Sequence, residues 1–164
     1  MQPEYRARVS MKNPVHFCAL GFGSGLIPMM PGTFGSLAAI PLILLLAPLG
    51  NPVFILATLF SSVIGVWFCG RTADDMGVHD HGSIVWDEVA GMLLTFMFVP
   101  LTVWTIIVGF VLFRIFDILK PWPIGPVDKT VHGGLGIMLD DILAGLMSFA
   151  CLQGAVYYFP LLTS

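Results

Sequence analysis

Long apolar runs alternate with short polar or glycine-rich stretches along this chain, and the runs are too continuous for the one-sided stripe of a soluble helix. Five stand out: Leu37 to Leu49, Pro52 to Gly70, Val89 to Pro100, Leu101 to Leu119 and Ile142 to Leu162, and a helix is predicted for each. A helix rises about 1.5 Å per residue and the hydrocarbon core is about 30 Å thick, so about 20 residues are needed to cross. The second, fourth and fifth runs reach that length. The first and third are shorter and would be extended by polar neighbours, tilt in a thinned bilayer, or be partly re-entrant. Upstream, GFGSGLIPMMPGTFGS (21–36) is too broken by Gly and Pro for a spanning helix. The expected fold is all-α: a polytopic membrane helix bundle of about five apolar helices, some short. It forms one integral-membrane domain over 1–164, with 1–36 an N-terminal interfacial segment and Gly-rich loop and 37–164 the bundle.

Composition agrees. Of 164 residues, 57% are hydrophobic and 10% charged, against about a quarter charged in a soluble domain. Cys18, Cys69 and Cys151 form no CxxC pair, which argues against a disulfide framework or a zinc site. No removable signal peptide is expected, because the apolar stretch after the first basic residues is broken and lacks a small-residue cleavage pattern. The net charge of -3 matters less than its placement. If all five runs cross, the turns Ala47 to Pro52 and Val99 to Leu101 and the C-terminal tail share one side, which carries no charged residue. Every Lys, Arg, Asp and Glu falls on the other side, including Arg114 and Asp117 at the end of the fourth helix. Basic residues concentrate on cytoplasmic faces, so the N-terminus is expected inside, the C-terminus outside, and the charged face in the cytoplasm. Nucleic acid is not an expected partner.

The densest chemistry lies in HDHGSIVWDE (79–88). Ionisable groups beside so much apolar sequence are costly unless they pair, bind metal or act on a substrate. GSIVWDEVAG (82–91) is echoed by GIMLDDILAG (136–145), with Gly, Asp, Ala and Gly at matching offsets, so Asp87 and Asp141 are equivalent. In each copy the Asp precedes a Gly by four residues on one helix face. The glycine permits close helix approach, and two carboxylate-bearing helix starts would meet. Two independent helix N-termini that favour acids would give the same pattern. Carboxylate-rich sites suit hard cations, magnesium or manganese before zinc, and nearby Arg and Lys suggest a phosphate-bearing substrate. Together these resemble a metal-assisted phosphoryl-transfer site. Plainer readings stand beside this one: Arg114 and Asp117 neutralise each other at i,i+3, and Arg71, Lys120 and Lys129 are juxtamembrane charges that set topology. His79 and His81 flank Asp80 in a loop, placed as acid, base or ligand. The glycine-rich stretch offers backbone amides and the hydroxyls of Thr33 and Ser36 to a phosphate, without matching a known phosphate-loop pattern.

Four motifs, GFGSGLIPMMPGTFGSLAAIP (21–41), TADDMGVHDHGSIVWDE (72–88), FRIFDILKPWPI (113–124) and VHGGLGIMLDDILAG (131–145), resemble the phosphatidylglycerophosphatase A family, in order and over nearly the whole chain. The resemblance implies a multi-pass enzyme of the bacterial inner membrane whose substrate is the lipid phosphatidylglycerophosphate. It further implies Mg²⁺-dependent hydrolysis of that lipid to phosphatidylglycerol and phosphate. On that footing Asp87, Glu88, Asp140 and Asp141, with Asp75 and Asp117, are expected to hold Mg²⁺. Arg114 and Lys120 would neutralise the phosphoryl group, and His79 or Asp80 would relay a proton. Thr33, Ser36, Arg71, His81 and Lys129 are the candidate substrate contacts. A small membrane transporter and a non-catalytic anionic-lipid-binding protein are the alternatives; phosphate release with and without EDTA separates the three.

Overall fold

The computed structural model describes residues 3–163. Among them the regular structure is entirely helical. Two short helices come first, α1 (Pro3–Arg8) and α2 (Pro14–Ala19), and a 3-10 turn follows at Gly21–Leu26. The bundle is built from α3 (Pro31–Leu46), α4 (Asn51–Met76), α5 (Trp86–Thr95), α6 (Val103–Leu119), the short α7 (Ile124–Thr130) and α8 (Gly133–Tyr158).

All five apolar runs are helical, with shifted boundaries. The first begins at Pro31, inside the stretch expected to be loop, because Pro31 occupies the first turn, where its missing N–H costs nothing. Thr33 and Ser36 therefore lie on a helix. With the 3-10 turn Ala47–Leu49, that first run reaches 19 residues and is long and apolar enough to cross a membrane, as are α4 and α8. The fourth run gives α6, with 17 residues. On α8 the sequence expectation placed Asp140 and Asp141 near a helix start. The helix begins earlier, at Gly133, so they lie two turns in.

The third run stays short: α5 has 10 residues and advances only about 15 Å. It is nevertheless buried along almost its whole length. Val89, Ala90, Met92 and Leu93 are buried, and α5 packs on α8 above all, then on α3 and α4. A lipid-exposed backbone break at this depth would leave carbonyls unpaired. Here the break is partly satisfied from within: at Phe98, which is exposed, the chain takes a left-handed φ of 59°, and the side-chain amide of Gln153 on α8 donates to the Met97 carbonyl at 3.1 Å. Outward residues such as Leu56, Phe60, Val63, Val103 and Ile107 are exposed and apolar, as a lipid-facing surface requires.

Candidate functional site

Asp87 and Glu88 occupy the first turn of α5, and Asp141 faces them from α8. One oxygen from each lies within 4.8 Å of the others. The helices approach closely because of two glycines. A Cβ on Gly145 would come within 2.5 Å of the Gly91 carbonyl oxygen, and one on Gly91 would sit 2.7 Å from the Asp141 carbonyl oxygen. The equivalent glycines of the two sequence copies thus meet, and their aspartates converge. Three carboxylates at this spacing, at an effective dielectric of about 20, repel by roughly 3 kcal/mol per ionised pair. Asp87 Oδ1 and Glu88 Oε2 are buried without a hydrogen-bond partner. Converging hard oxygens with unsatisfied lone pairs fit a Mg²⁺-type cation, and the donor set holds no sulfur or imidazole.

Two cations flank this group. Arg114, projecting from α6, contacts Asp117 Oδ2 at 2.6 Å, lies 4.0 Å from Glu88 Oε1, and donates to Ser36 Oγ at 3.3 Å. Ser36 in turn donates to the Gly32 carbonyl at 2.9 Å. Gly32 is pressed so closely against Glu88 and Arg114 that a Cβ there would collide with the Glu88 carboxylate. The buried Arg114 Nε has no protein acceptor. Lys120, just past the end of α6, contacts Asp128 Oδ1 at 2.6 Å and Asp140 Oδ2 at 2.7 Å. Partial burial works against its charge, but the hydrogen bonds to Asp128 and Asp140 outweigh burial and hold its pKa above the usual lysine value.

The remaining sequence candidates are distributed around this core. Asp117 and Asp140 lie beside it but are ion-paired, to Arg114 and Lys120. Asp75 is engaged elsewhere: His16 Nε2–H donates to it at 3.0 Å, Ser10 N–H holds the other ring nitrogen of His16, and Arg71 bonds it at 3.1 Å. This triad ties α2 to α4, so Arg71 and His16 act together with Asp75. His79 and Asp80 are exposed in the loop before α5. His79 Nε2 accepts from the Gly133 N–H at 3.4 Å, and its ring meets the edge of His132 at 4.6 Å. His81 packs on Tyr5 and accepts from the Ser83 N–H, and burial lowers its pKa. Lys129 is exposed on α7, and the Thr33 side chain is half-buried in the first turn of α3. Sequence reasoning gave no role to Asp128 or Gly32. The first was visible only as one acid among many, the second only as one glycine in a rich stretch.

The sequence pattern of phosphatidylglycerophosphatase A matches residues 17–156. The chain is 52% identical over 157 residues to phosphatidylglycerophosphatase A of Escherichia coli (strain K12), covering 95% of this chain and 91% of that one. It is 45% identical over 153 residues to the Haemophilus influenzae protein of the same name, covering 92% and 94%. It is also 36% identical over 150 residues to a Bacteroides thetaiotaomicron protein provisionally named phosphatidylinositol-3-phosphatase, covering 85% and 93%. No solved structure matches the chain.

Proposed function

Because the chain belongs to the phosphatidylglycerophosphatase A family, we infer that it hydrolyses the terminal phosphate monoester of phosphatidylglycerophosphate, releasing phosphatidylglycerol and phosphate. The observation that supports this best is the three-carboxylate group flanked by two cations at the polar end of an apolar bundle. A lipid phosphate reaches such a place without its acyl chains leaving the hydrocarbon. The proposed location is the bacterial inner membrane with this end in the cytoplasm, a reading supported by the clustering of Lys and Arg outside the apolar runs' far turns.

Asp87, Glu88 and Asp141 are the residues proposed to hold Mg²⁺, with Asp140 and Asp117 orienting the neighbouring cations. When bound, the ion supplies Lewis-acid polarisation of a phosphoryl oxygen and a position for the attacking water. Phosphoryl transfer from a monoester passes through a loose transition state, so positioning and charge stabilisation dominate. Arg114 serves this with its unpartnered Nε–H and Lys120 with its ammonium. Ser36 and the close backbone at Gly32 fix the Arg114 fork against Glu88. His79, with Asp80 beside it, is the proposed proton carrier to the leaving glycerol oxygen.

The deciding experiment measures phosphate release by the purified protein from phosphatidylglycerophosphate in mixed micelles, before and after EDTA and with single divalent cations restored. Release that stops with EDTA and returns with Mg²⁺ is expected. Full release in EDTA would sink the metal assignment, and no release under any condition would sink the phosphatase reading.

A further inference from the structure

A cavity of about 190 Å³ lies between α3, α4 and α5. Leu42 and Leu46 of α3, Ala57, Phe60 and Ser61 of α4, and Trp86 and Leu93 of α5 line it. Its walls are apolar with one exception. Ser61 is 5% exposed, and its hydroxyl has no hydrogen-bond partner. Hydroxyls within apolar helices usually bond the carbonyl four residues back. Thr58 and Ser62, on either side of it, do so at 2.9 and 2.8 Å. Ser61 departs from that habit, and the residue lines the crevice with its hydroxyl buried in the wall. The wall behind it is held in place, because the Trp86 indole N–H donates to the Ser61 carbonyl at 3.1 Å.

We propose that this crevice binds one acyl-ester arm of the diacyl lipid substrate, with the Ser61 hydroxyl donating to the ester carbonyl; the proposal rests on the phosphatase reading above. Depth supports it. Cys69 of α4 lies against the Asp87 backbone, at the level of the carboxylate group. Ser61 is eight residues back along the same helix, about 12 Å deeper. From the terminal phosphorus of the lipid, about eleven bonds through a glycerol, a phosphodiester and a second glycerol lead to an ester carbonyl carbon. At roughly 1.3 Å of advance per bond, these span up to about 14 Å. A phosphate at Asp87 therefore has an ester carbonyl within reach of Ser61 when the headgroup is extended, with its chain directed toward Phe60 and Leu46. An apolar crevice meeting alkyl chain alone would have no use for an unpaired hydroxyl at its wall.

The test compares three substrates: the diester lipid, its diether analogue, and the soluble headgroup without acyl chains. Ser61→Ala should raise KM for the diester about five-fold at unchanged kcat, the scale of one neutral hydrogen bond. It should leave the diether and the soluble headgroup unaffected. Ala57→Leu, which fills the crevice, should raise KM for both lipids and not for the soluble compound. A Ser61→Ala effect equal on diester and diether, or absent from both, would overturn the proposal. An activity-independent arm replaces Trp67, Trp104 and Trp122 with Phe and reads Trp86 fluorescence. Lipid brominated on its acyl chains should quench it, and Ala57→Leu should abolish the quenching; unchanged quenching in that variant would also overturn the proposal. A wild-type protein inert on all three substrates, yet quenched in this way, would remove the phosphatase reading and leave the lipid crevice standing.

Discussion

The stretches 82–91 and 136–145 give the site two arms built on one spacing, and they differ in where the second acid sits. On α5 the acid accompanying Asp87 is Glu88, one residue later; on α8 the acid accompanying Asp141 is Asp140, one residue earlier. One residue is about 100° around a helix, so the equivalent aspartates converge while their companions meet different cations. Glu88 turns toward Arg114 on α6, and Asp140 reaches Lys120. A near-repeat thereby yields a common centre with a different cation on each side. Shared spacing supplies the convergence, and the one-residue offset supplies the asymmetry.

The comparison breaks most directly at the shared aspartates. Asp87→Asn and Asp141→Asn should each reduce phosphate release by on the order of 10³-fold, while the protein still inserts and purifies as a single species. If one variant kept near-wild-type activity and the other none, the two arms would not be equivalent at the centre. The companions should matter less and unequally. Glu88→Gln should cost on the order of 10²-fold, because Glu88 belongs to the converging group and faces Arg114. Asp140→Asn should cost about ten-fold, since Lys120 keeps Asp128 as a partner. Titration of Mg²⁺ against initial rate separates the two: Glu88→Gln should raise the Mg²⁺ concentration required, and Asp140→Asn should leave it in place.

Much of this arrangement was legible in the sequence because it rests on local spacing. The Asp-to-Gly interval of four puts acid and contact residue on one face, and the apolar runs announced five helices. What sequence could not supply depends on long-range pairing. Asp75 reads like any acid near the histidine loop, yet His16, 59 residues away, claims it. Asp128 gains meaning only when α7 folds back to bring it to Lys120. The start of α3 was hidden by composition: glycines and prolines usually signal loop, but a proline in the first turn and glycines pressed against Glu88 and Val85 are consistent with a tightly packed helix.

The contact between arms is tested at its glycines. Gly145→Ala places a methyl against the Gly91 carbonyl, and Gly91→Ala meets Phe113 and the Asp141 carbonyl. Each should cost about 1–3 kcal/mol through overpacking of the helix interface, read as a lowered unfolding midpoint in detergent. Activity should fall with it, because any separation of α5 from α8 moves Asp87 away from Asp141. A variant that loses stability but keeps full activity would show that the carboxylates tolerate a wider spacing.

The smallest effect is expected where the arms begin. His79 precedes the α5 copy and His132 the α8 copy, and their rings meet edge to face at 4.6 Å. His79 also accepts the Gly133 N–H at the start of α8, so it joins the two arms mechanically while standing in the exposed loop. In a loose transition state the attacking water needs little help from a base, and the charge that collects on the leaving oxygen can be met by flanking cations. His79→Ala should therefore lower kcat by about ten-fold or less, below the roughly 10²–10⁴-fold of full general acid–base catalysis. His79→Gln, which keeps an acceptor for Gly133, should recover part of that loss if the contact between the arms is what matters. A loss in His79→Ala approaching that of Asp87→Asn, with no recovery in His79→Gln, would make proton transfer rather than charge stabilisation the main demand of the reaction.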